Sequence, residues 1–381
     1  MFRICVDYVT GVRENNYYLF CLLPVGGLVI AFLYRITKLN GIGDTNLIIT
    51  SVRSDKKLPL ILAPVIFIST VITQLFGGSA GREGAALQLG GCIGNNIGKV
   101  FHLNEKDLHI ATMCGMSGLF SALFGTPLTA TVFAMEVISV GIFYYSAFFP
   151  CIVSALCAYG ITWVFKLKEV SFSFDAVPNT DILSILKVSV LGISCAVVSI
   201  VFCLSLKYTH KYAVKFFKNE YLRIFVGGAV IVVLTLILGT RYNGTGISQI
   251  NSAIENGECL PYDFILKIVF TAITIGFGYK GGEIIPTFFI GATLGSLLGP
   301  LLGLPAGFCA AVCLVAMFCG VVNCPIASLV LSVELFSSNG IVLFAVAICL
   351  SFMLSGYYGL YTGQKIMYSK RRARFVNRNT K

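Results

Sequence analysis

Long apolar runs separated by short polar stretches dominate this 381-residue chain. They recur about ten times, and many extend for only roughly 12 to 17 residues before a Gly or Pro interrupts them, whereas a helix needs about 20 to span a bilayer. We therefore expect an all-α, multi-pass membrane protein with short and broken helices. Non-helical backbone at membrane depth is tolerated only where it lines a cavity or is buried in protein, so the pattern indicates a transporter or channel core.

The apolar runs also predict where the helices lie. Residues 1–16 are mixed in character, so the first predicted helix begins at residue 17. The helices predicted in the first half span residues 17–33, 58–76, 85–100, 110–124, 127–140 and 143–165, with a short amphipathic piece at 44–52. In the second half, a long helix at 182–206 comes first.

Composition and charge agree with a membrane protein. The chain is 56% hydrophobic and 12% charged, which excludes an ordinary soluble domain. Its formal net charge of +11 reflects basic loops rather than a nucleic-acid surface, and by the positive-inside rule these loops face the cytoplasm. The basic clusters are Arg53, Lys56 and Lys57; Lys207, Lys211, Lys215, Lys218 and Arg223; and Lys365, Lys370, Arg371, Arg372, Arg374 and Arg378. We expect the last cluster to hold the tail at anionic lipid headgroups.

The second half of the chain repeats the first. The matched segments are 40–43 with 243–246, 25–27 with 226–228, Glu83 and Gly91 with Glu283 and Gly291, and Pro127 and Glu136 with Pro325 and Glu334. A basic loop follows the first helix, whereas the equivalent helix of the second half is preceded by one. The two equivalent helices therefore have opposite ends at the cytoplasmic side, and the repeat is inverted. We predict repeats at 1–166 and 167–364 and a basic cytoplasmic tail at 365–381. The helix at 182–206 has no counterpart, so the first repeat lacks its first helix. We expect that the true start lies upstream of this sequence, and the loss of one helix is the alternative.

The segment Gly81-Arg82-Glu83-Gly84 carries the main functional signal. A carboxylate at the start of a helix in so apolar a chain is costly to bury and marks a function by default. The glycines allow close backbone approach and leave free N–H groups at a helix start, which attracts anions. An ionised Glu83 can fold into such a site, and protonation makes it yield to a permeating anion. A helix-start carboxylate that only complements its own dipole is the alternative.

Several motifs in one order resemble the CLC family of anion channels and proton-coupled anion antiporters. They are Gly81-Arg82-Glu83-Gly84, Gly125-Thr126-Pro127-Leu128 with Glu136, Gly281-Gly282-Glu283-Ile284-Ile285-Pro286, Asn323-Cys324-Pro325 with Glu334, and Tyr368. The resemblance implies a homodimer with one pore per subunit, anion sites at helix N-termini, and Glu83 as the external gating glutamate. The anion-binding candidates are Gly41, Ile42, Gly43, Arg82, Gly84, Gly282, Glu283, Ile284, Ile285 and Tyr368.

Three departures from the family pattern resemble its fluoride/proton antiporter branch. A Gly-Ser-Gly-Ile-Pro turn is replaced by Gly41-Ile42-Gly43-Asp44-Thr45, which removes a hydroxyl from the central site. Val137 follows Glu136 where chloride/proton antiporters carry an internal proton glutamate. The phenylalanine of the second-repeat motif is replaced within residues 282–286. The choice of fluoride rests on this resemblance.

Other readings remain open for individual candidates. Arg82 either steers anions or is a structural partner of a carboxylate or carbonyl. Glu136 and Glu334 occupy equivalent positions near helix ends, which favours a shared packing or capping role. Glu283 either handles protons or ions or is structural, and Tyr368 is either a site residue or an interfacial anchor.

The sequence thus predicts a bacterial-type plasma-membrane exporter that exchanges fluoride for protons. A chloride-selective CLC channel or chloride/proton exchanger is the alternative, and an intramembrane enzyme is a third candidate from another class. We find no nucleophile with a base nearby and no metal-ligand spacing, so we expect no enzyme, no metal and no cofactor. The expected partners are fluoride or chloride, protons, membrane lipids and a second copy of the chain, and not nucleic acid.

Overall fold

The computed structural model describes residues 1–39, 45–54, 58–167, 172–174, 176–372 and 374–381. The α-helices in this part of the chain are α1 Phe2–Asn15, α2 Leu23–Ile36, α3 Thr45–Ser51, α4 Leu62–Leu75, α5 Glu83–Val100, α6 Glu105–Phe124, α7 Pro127–Glu136, α8 Phe148–Val164, α9 Ile182–Phe216, α10 Glu220–Leu238, α11 Ile247–Asn251, α12 Asp263–Gly276, α13 Ile284–Leu301, α14 Ala306–Val322, α15 Pro325–Phe336 and α16 Ile341–Leu354. The expected helical membrane protein is confirmed.

Helix length varies as the interrupted apolar runs predict. Among the described residues, six helical stretches are long and apolar enough to span a membrane: Tyr17–Ile36, Glu105–Phe124, Tyr145–Val164, Ile182–Phe216, Glu220–Leu238 and Ile284–Leu301. Four further apolar helices, α4, α14, α15 and α16, are shorter than a full span. The chain is therefore a multi-pass membrane protein with incomplete helices among its spans.

A small sheet lies beside the helices. Strands β1 Ser139–Val140, β2 Lys365–Tyr368 and β3 Phe375–Asn379 occur in that order, with β1 parallel to β2 and β2 antiparallel to β3. The helical prediction did not include these strands, which are too short and too polar to leave a hydrophobic pattern.

Packing at glycines is equivalent in the two halves of the chain. Gly26 of α2 has no room for a Cβ because the Phe76 ring lies against it, and Gly227 of α10 meets Phe277 in the same way. Close backbone contacts likewise join α5 to α6 and α13 to α14. The pairs are Gly90 with Gly115, Gly94 with Ala111, Gly291 with Cys313, and Gly295 with Cys309. The boundaries predicted at residues 166 and 364 stay predictions.

The expectation that no helix precedes residue 17 is wrong. Helix α1 packs against α4, as α9 packs against the equivalent helix α12. It buries Phe2, Arg3 and Val6 while much of its remaining surface is exposed, which explains the mixed sequence. Helix α1 is therefore the first-repeat counterpart of the end of α9.

Residues of two basic clusters lie near the final segment of the chain. A side-chain nitrogen of Arg53, Nη2, donates to the carbonyl of Gly363 in the final segment. One cavity is lined by Lys207, Arg223 and Lys381 together. The shared cytoplasmic orientation expected from charge stays a prediction.

Candidate functional site

Two extended segments meet just before α5 and α13. The backbone N–H of Gly81 donates to the carbonyl of Gly282 at 2.6 Å, and that of Gly282 donates back at 2.7 Å. A Cβ on Gly84 would lie 2.9 Å from the Cα of Gly282, so only glycine permits this approach. We call this contact the crossing. Because a helix N-terminus carries partial positive charge, the crossing brings two electropositive helix ends together.

The crossing corrects the pairing of the two repeats. Since Gly81 pairs with Gly282 and the helices begin at Glu83 and Ile284, equivalent residues here are 201 apart (282 − 81). Arg82 is therefore the equivalent of Glu283, and the predicted match of Glu83 with Glu283 is off by one residue. The sequence misled us because adjacent glycines at 90 and 91 allow either register.

Glu83 is the first residue of α5 and is only 2% exposed. Its Oε2 accepts a hydrogen bond from the backbone N–H of Arg82 at 2.9 Å, so the carboxylate folds back over the start of its own helix. Its Oε1 lies 3.6 Å from Nε of Arg82. The carboxylate thus occupies the positive end of α5.

Arg82 connects this buried carboxylate to α1. Its guanidinium Nη1 donates to Oδ1 of Asp7, which the sequence analysis did not single out. No local pattern marks Asp7, because its partner is distant in the chain and α1 was not recognised as a helix. Nearby, Nε2 of Gln74 donates to the carbonyl of Ala80 at 2.6 Å and helps to fix the extended segment.

Glu283 belongs to the second segment of the crossing and is the N-cap of α13. It lines a cavity of about 490 Å³ together with Tyr34, Gln88 and Lys280. The basic residues Lys207, His210 and Arg223 and the acidic Glu220 also line this cavity. Glu83 is not among the described residues that line this cavity.

The crossing gathers most of the predicted anion-binding positions but not all of them. Those at or beside it are Arg82, Gly84, Gly282, Glu283, Ile284 and Ile285. Gly41, Ile42 and Gly43 lie outside the described residues. The next described residue, Thr45, begins α3 and accepts a hydrogen bond from Nε2 of Gln88 at 2.8 Å, which joins α3 to α5.

Tyr368 is located elsewhere. It belongs to β2, is 49% exposed and packs against Phe375 with ring centroids 5.6 Å apart. The structure does not bring it to the crossing, and its position fits the interfacial alternative. Among the described residues, no cluster of His, Cys, Asp and Glu is suited to hold a metal ion.

Comparison with known proteins gives consistent matches. A family model described as voltage gated chloride channel matches residues 25–356. The chain is 34% identical over 381 aligned positions to the chloride/fluoride channel protein of Pseudomonas syringae pv. tomato, covering 97% of this chain and 83% of that protein. It is 25% identical to the H(+)/Cl(-) exchange transporter ClcA of Vibrio cholerae, over 61% of this chain and 53% of that protein.

Solved structures show the same fold. A CLC-type fluoride/proton antiporter matches with a TM-score of 0.92 and 32% identity, covering 95% of this chain and 92% of the other. A slow cyanobacterial Cl-/H+ antiporter matches with a TM-score of 0.78 and 18% identity, over 93% and 89% of the two chains. With its matched motifs, its glycine-packed repeat and its crossing, the chain belongs to the CLC family of voltage gated chloride channels.

Proposed function

We propose that this protein exports fluoride in exchange for protons, with Glu83 as the protonatable gate. The observation that carries the proposal is the buried Glu83 carboxylate at the N-terminus of α5, beside the crossing. Two relatives support the choice of ions: one is named a chloride/fluoride channel protein and the other is a CLC-type fluoride/proton antiporter.

The mechanism follows from competition for one electropositive position. The ionised carboxylate of Glu83 is attracted to the start of α5, where an anion would also bind. Protonation removes the charge and with it most of this attraction, so the side chain yields to an anion. An anion that arrives displaces a protonated Glu83, and an anion that leaves allows the ionised side chain to return. Proton and anion movements are thereby linked.

The site that we propose for the anion is built mainly from backbone. Fluoride is small and strongly hydrated, so its dehydration must be offset by close N–H donors. The starts of α5 and α13, at Gly84 and at Ile284 and Ile285, provide such donors, and Arg82 supplies positive charge. The assignment of residues 41–43 to this site rests on the family resemblance alone. Tyr368 would have to leave its packing against Phe375 to take part.

Glu283 is a second carboxylate for proton handling. Val137 occupies the position where chloride/proton antiporters of the family carry an internal proton glutamate. Glu283 lines the cavity described above, whereas Glu83 does not, which supports a separate proton role for Glu283. We therefore assign the inner proton step to Glu283.

The membrane arrangement is part of the same proposal. We place the protein in a bacterial-type plasma membrane as a homodimer, with the basic clusters and the C-terminus in the cytoplasm. The basic tail then lies at anionic lipid headgroups.

Efflux from liposomes that contain the purified protein tests the proposal. Fluoride and chloride electrodes and a pH electrode record each ion, with and without a pH gradient. Fluoride efflux with opposite proton movement is expected. Equal coupling with chloride would favour a chloride/proton exchanger, which the ClcA similarity makes the second candidate, and anion flux that ignores pH would favour a channel. Transport of neither anion would reopen the enzymatic alternative.

A further inference from the structure

A carboxylate outside the crossing binds the arginine that precedes the gate. Asp7 lies on α1 and is 75 positions from Arg82 in the chain, yet its Oδ1 accepts a hydrogen bond from Nη1 of Arg82. The Arg82 side chain is 5% exposed, whereas 55% of the Asp7 side chain is exposed. Asp7 therefore lies where the buried pair of Arg82 and Glu83 approaches the surface.

The position of the guanidinium shows the consequence of this contact. Nε of Arg82 is 3.6 Å from Oε1 of Glu83, which is within ion-pair distance but longer than a hydrogen bond. Within the described part of the chain, this Nε has no hydrogen-bond partner. With its Nη1 held by Asp7, Arg82 attracts Glu83 through charge and through its backbone N–H, but its guanidinium does not close on the carboxylate.

We propose that Asp7 is a positioning residue that keeps Arg82 from forming a full salt bridge with Glu83 and thereby sets the pH range in which the gate opens. The inference rests on the proposed role of Glu83. An arginine shared by two carboxylates holds each of them less strongly than it would hold one, and Asp7 also repels the ionised gate. Without the Asp7 charge, the ionised form of Glu83 is stabilised, so more acidic conditions are needed to open the gate.

Other charged groups lie on α1 and on the helices of the site. Arg3 lies 3.7 Å from Asp7, Arg13 donates to the carbonyl of Gln74, and Lys267 on α12 donates to the carbonyl of Gly244. Glu283 on α13 is close to Gly84. Helices α3 and α4 carry no charged side chain. Arg3 pairs with Oδ2 of Asp7 and Arg82 with Oδ1, so removal of the Asp7 charge releases both arginines. Both changes leave more uncompensated positive charge near Glu83, and they therefore act on the gate in the same direction.

The test is anion efflux from liposomes as a function of external pH. We expect Asp7→Asn to move the pH of half-maximal efflux downward by roughly 1 unit and to reach the wild-type rate at acidic pH, where the gate is protonated in both proteins. Asp7→Glu should restore the wild-type profile. Glu14→Gln removes the same charge from an exposed side chain on the same helix and should leave the profile unchanged.

Two results would overturn the proposal: an unchanged pH profile in Asp7→Asn, or a loss of rate that is equal at every pH. The proposal would also be overturned if Asp7→Asn shifts the pH of half-maximal efflux in the Glu83→Gln background, because the effect must act through Glu83. Infrared titration of the Glu83 carboxyl in detergent, with Glu83→Gln subtracted, measures the same shift without transport. If the wild type carries neither anion, the proposed function fails, and the infrared titration still decides the role of Asp7.

Discussion

Glu136 and Glu334 each bind the N-terminus of the helix that carries the other. Glu136 on α7 accepts hydrogen bonds at 3.2 and 2.8 Å from the first free backbone N–H groups of α15. Glu334 on α15 accepts bonds at 2.9 and 2.8 Å from the equivalent groups of α7. The capping role expected from their equivalent positions is confirmed. Two helix starts are thus covered by carboxylates of other helices, whereas the start of α5 is covered by its own Glu83.

Removal of either cap should destabilise the protein without uncoupling transport. Glu136→Ala and Glu334→Ala each leave two backbone N–H groups without an acceptor, at a cost of about 1–3 kcal/mol. We expect lower melting temperatures in detergent, with the larger effect for the more buried Glu136. The exposed Glu105 at the start of α6 offers a control, since Glu105→Ala should change the melting temperature little. A change of ion coupling in the cap variants would contradict this structural role.

The crossing should not tolerate a methyl group at Gly84. A Cβ there would lie 2.9 Å from the backbone of Gly282, so Gly84→Ala forces the two segments apart. We expect fluoride efflux from liposomes to fall at least tenfold, because a rise of about 1.4 kcal/mol in the activation free energy of transport slows it tenfold. Gly160→Ala is the matched control, because nothing lies within 4 Å of a Cβ on Gly160 in α8. Equal activity of both variants would show that close approach at the crossing is not needed.

Lys370 should make the docking of the tail depend on pH. Its Nζ donates to Asn323, to the carbonyl of Phe352 at 2.9 Å and to Ser355 at 3.1 Å, and burial lowers the pKa of Lys370 to about 8. The unfolded chain therefore binds more protons between pH 8 and about 10.4, so stability rises with pH across this window, by on the order of 3 kcal/mol at most.

Melting temperatures measured from pH 7.5 to 10 check this. The melting temperature of wild type should rise relative to that of Lys370→Met as pH increases. Lys106→Met, at an exposed position, should follow the wild type. If the melting temperature of wild type relative to Lys370→Met stays constant or falls as pH rises, the predicted pH dependence is wrong.

The sequence was sufficient to predict the helical membrane fold, the related halves and most of the residues that meet at the crossing. Glycines beside Glu83 and Glu283 mark close backbone approach, and their order along the chain identifies the family. The exact register was not predictable, because Gly90 and Gly91 both satisfy the spacing and only the hydrogen bonds between Gly81 and Gly282 decide between them.

Two features depended on contacts between distant parts of the chain. Asp7 has no local signal, since its meaning comes from Arg82 on another element. Tyr368 became a site candidate through the motif order alone. Pairing of β2 with β3 places it beside Phe375 instead of at the crossing. Side chains whose roles come from tertiary packing are not specified by local pattern.

The central claim is that one carboxylate, Glu83, couples proton movement to anion movement. The most direct test records fluoride and proton fluxes together in liposomes that contain wild type or Glu83→Gln, a variant that is neutral at every pH. We predict that wild type takes up protons as fluoride leaves, and that Glu83→Gln lets fluoride pass with no accompanying proton flux. Proton uptake in Glu83→Gln equal to that of the wild type would contradict the account.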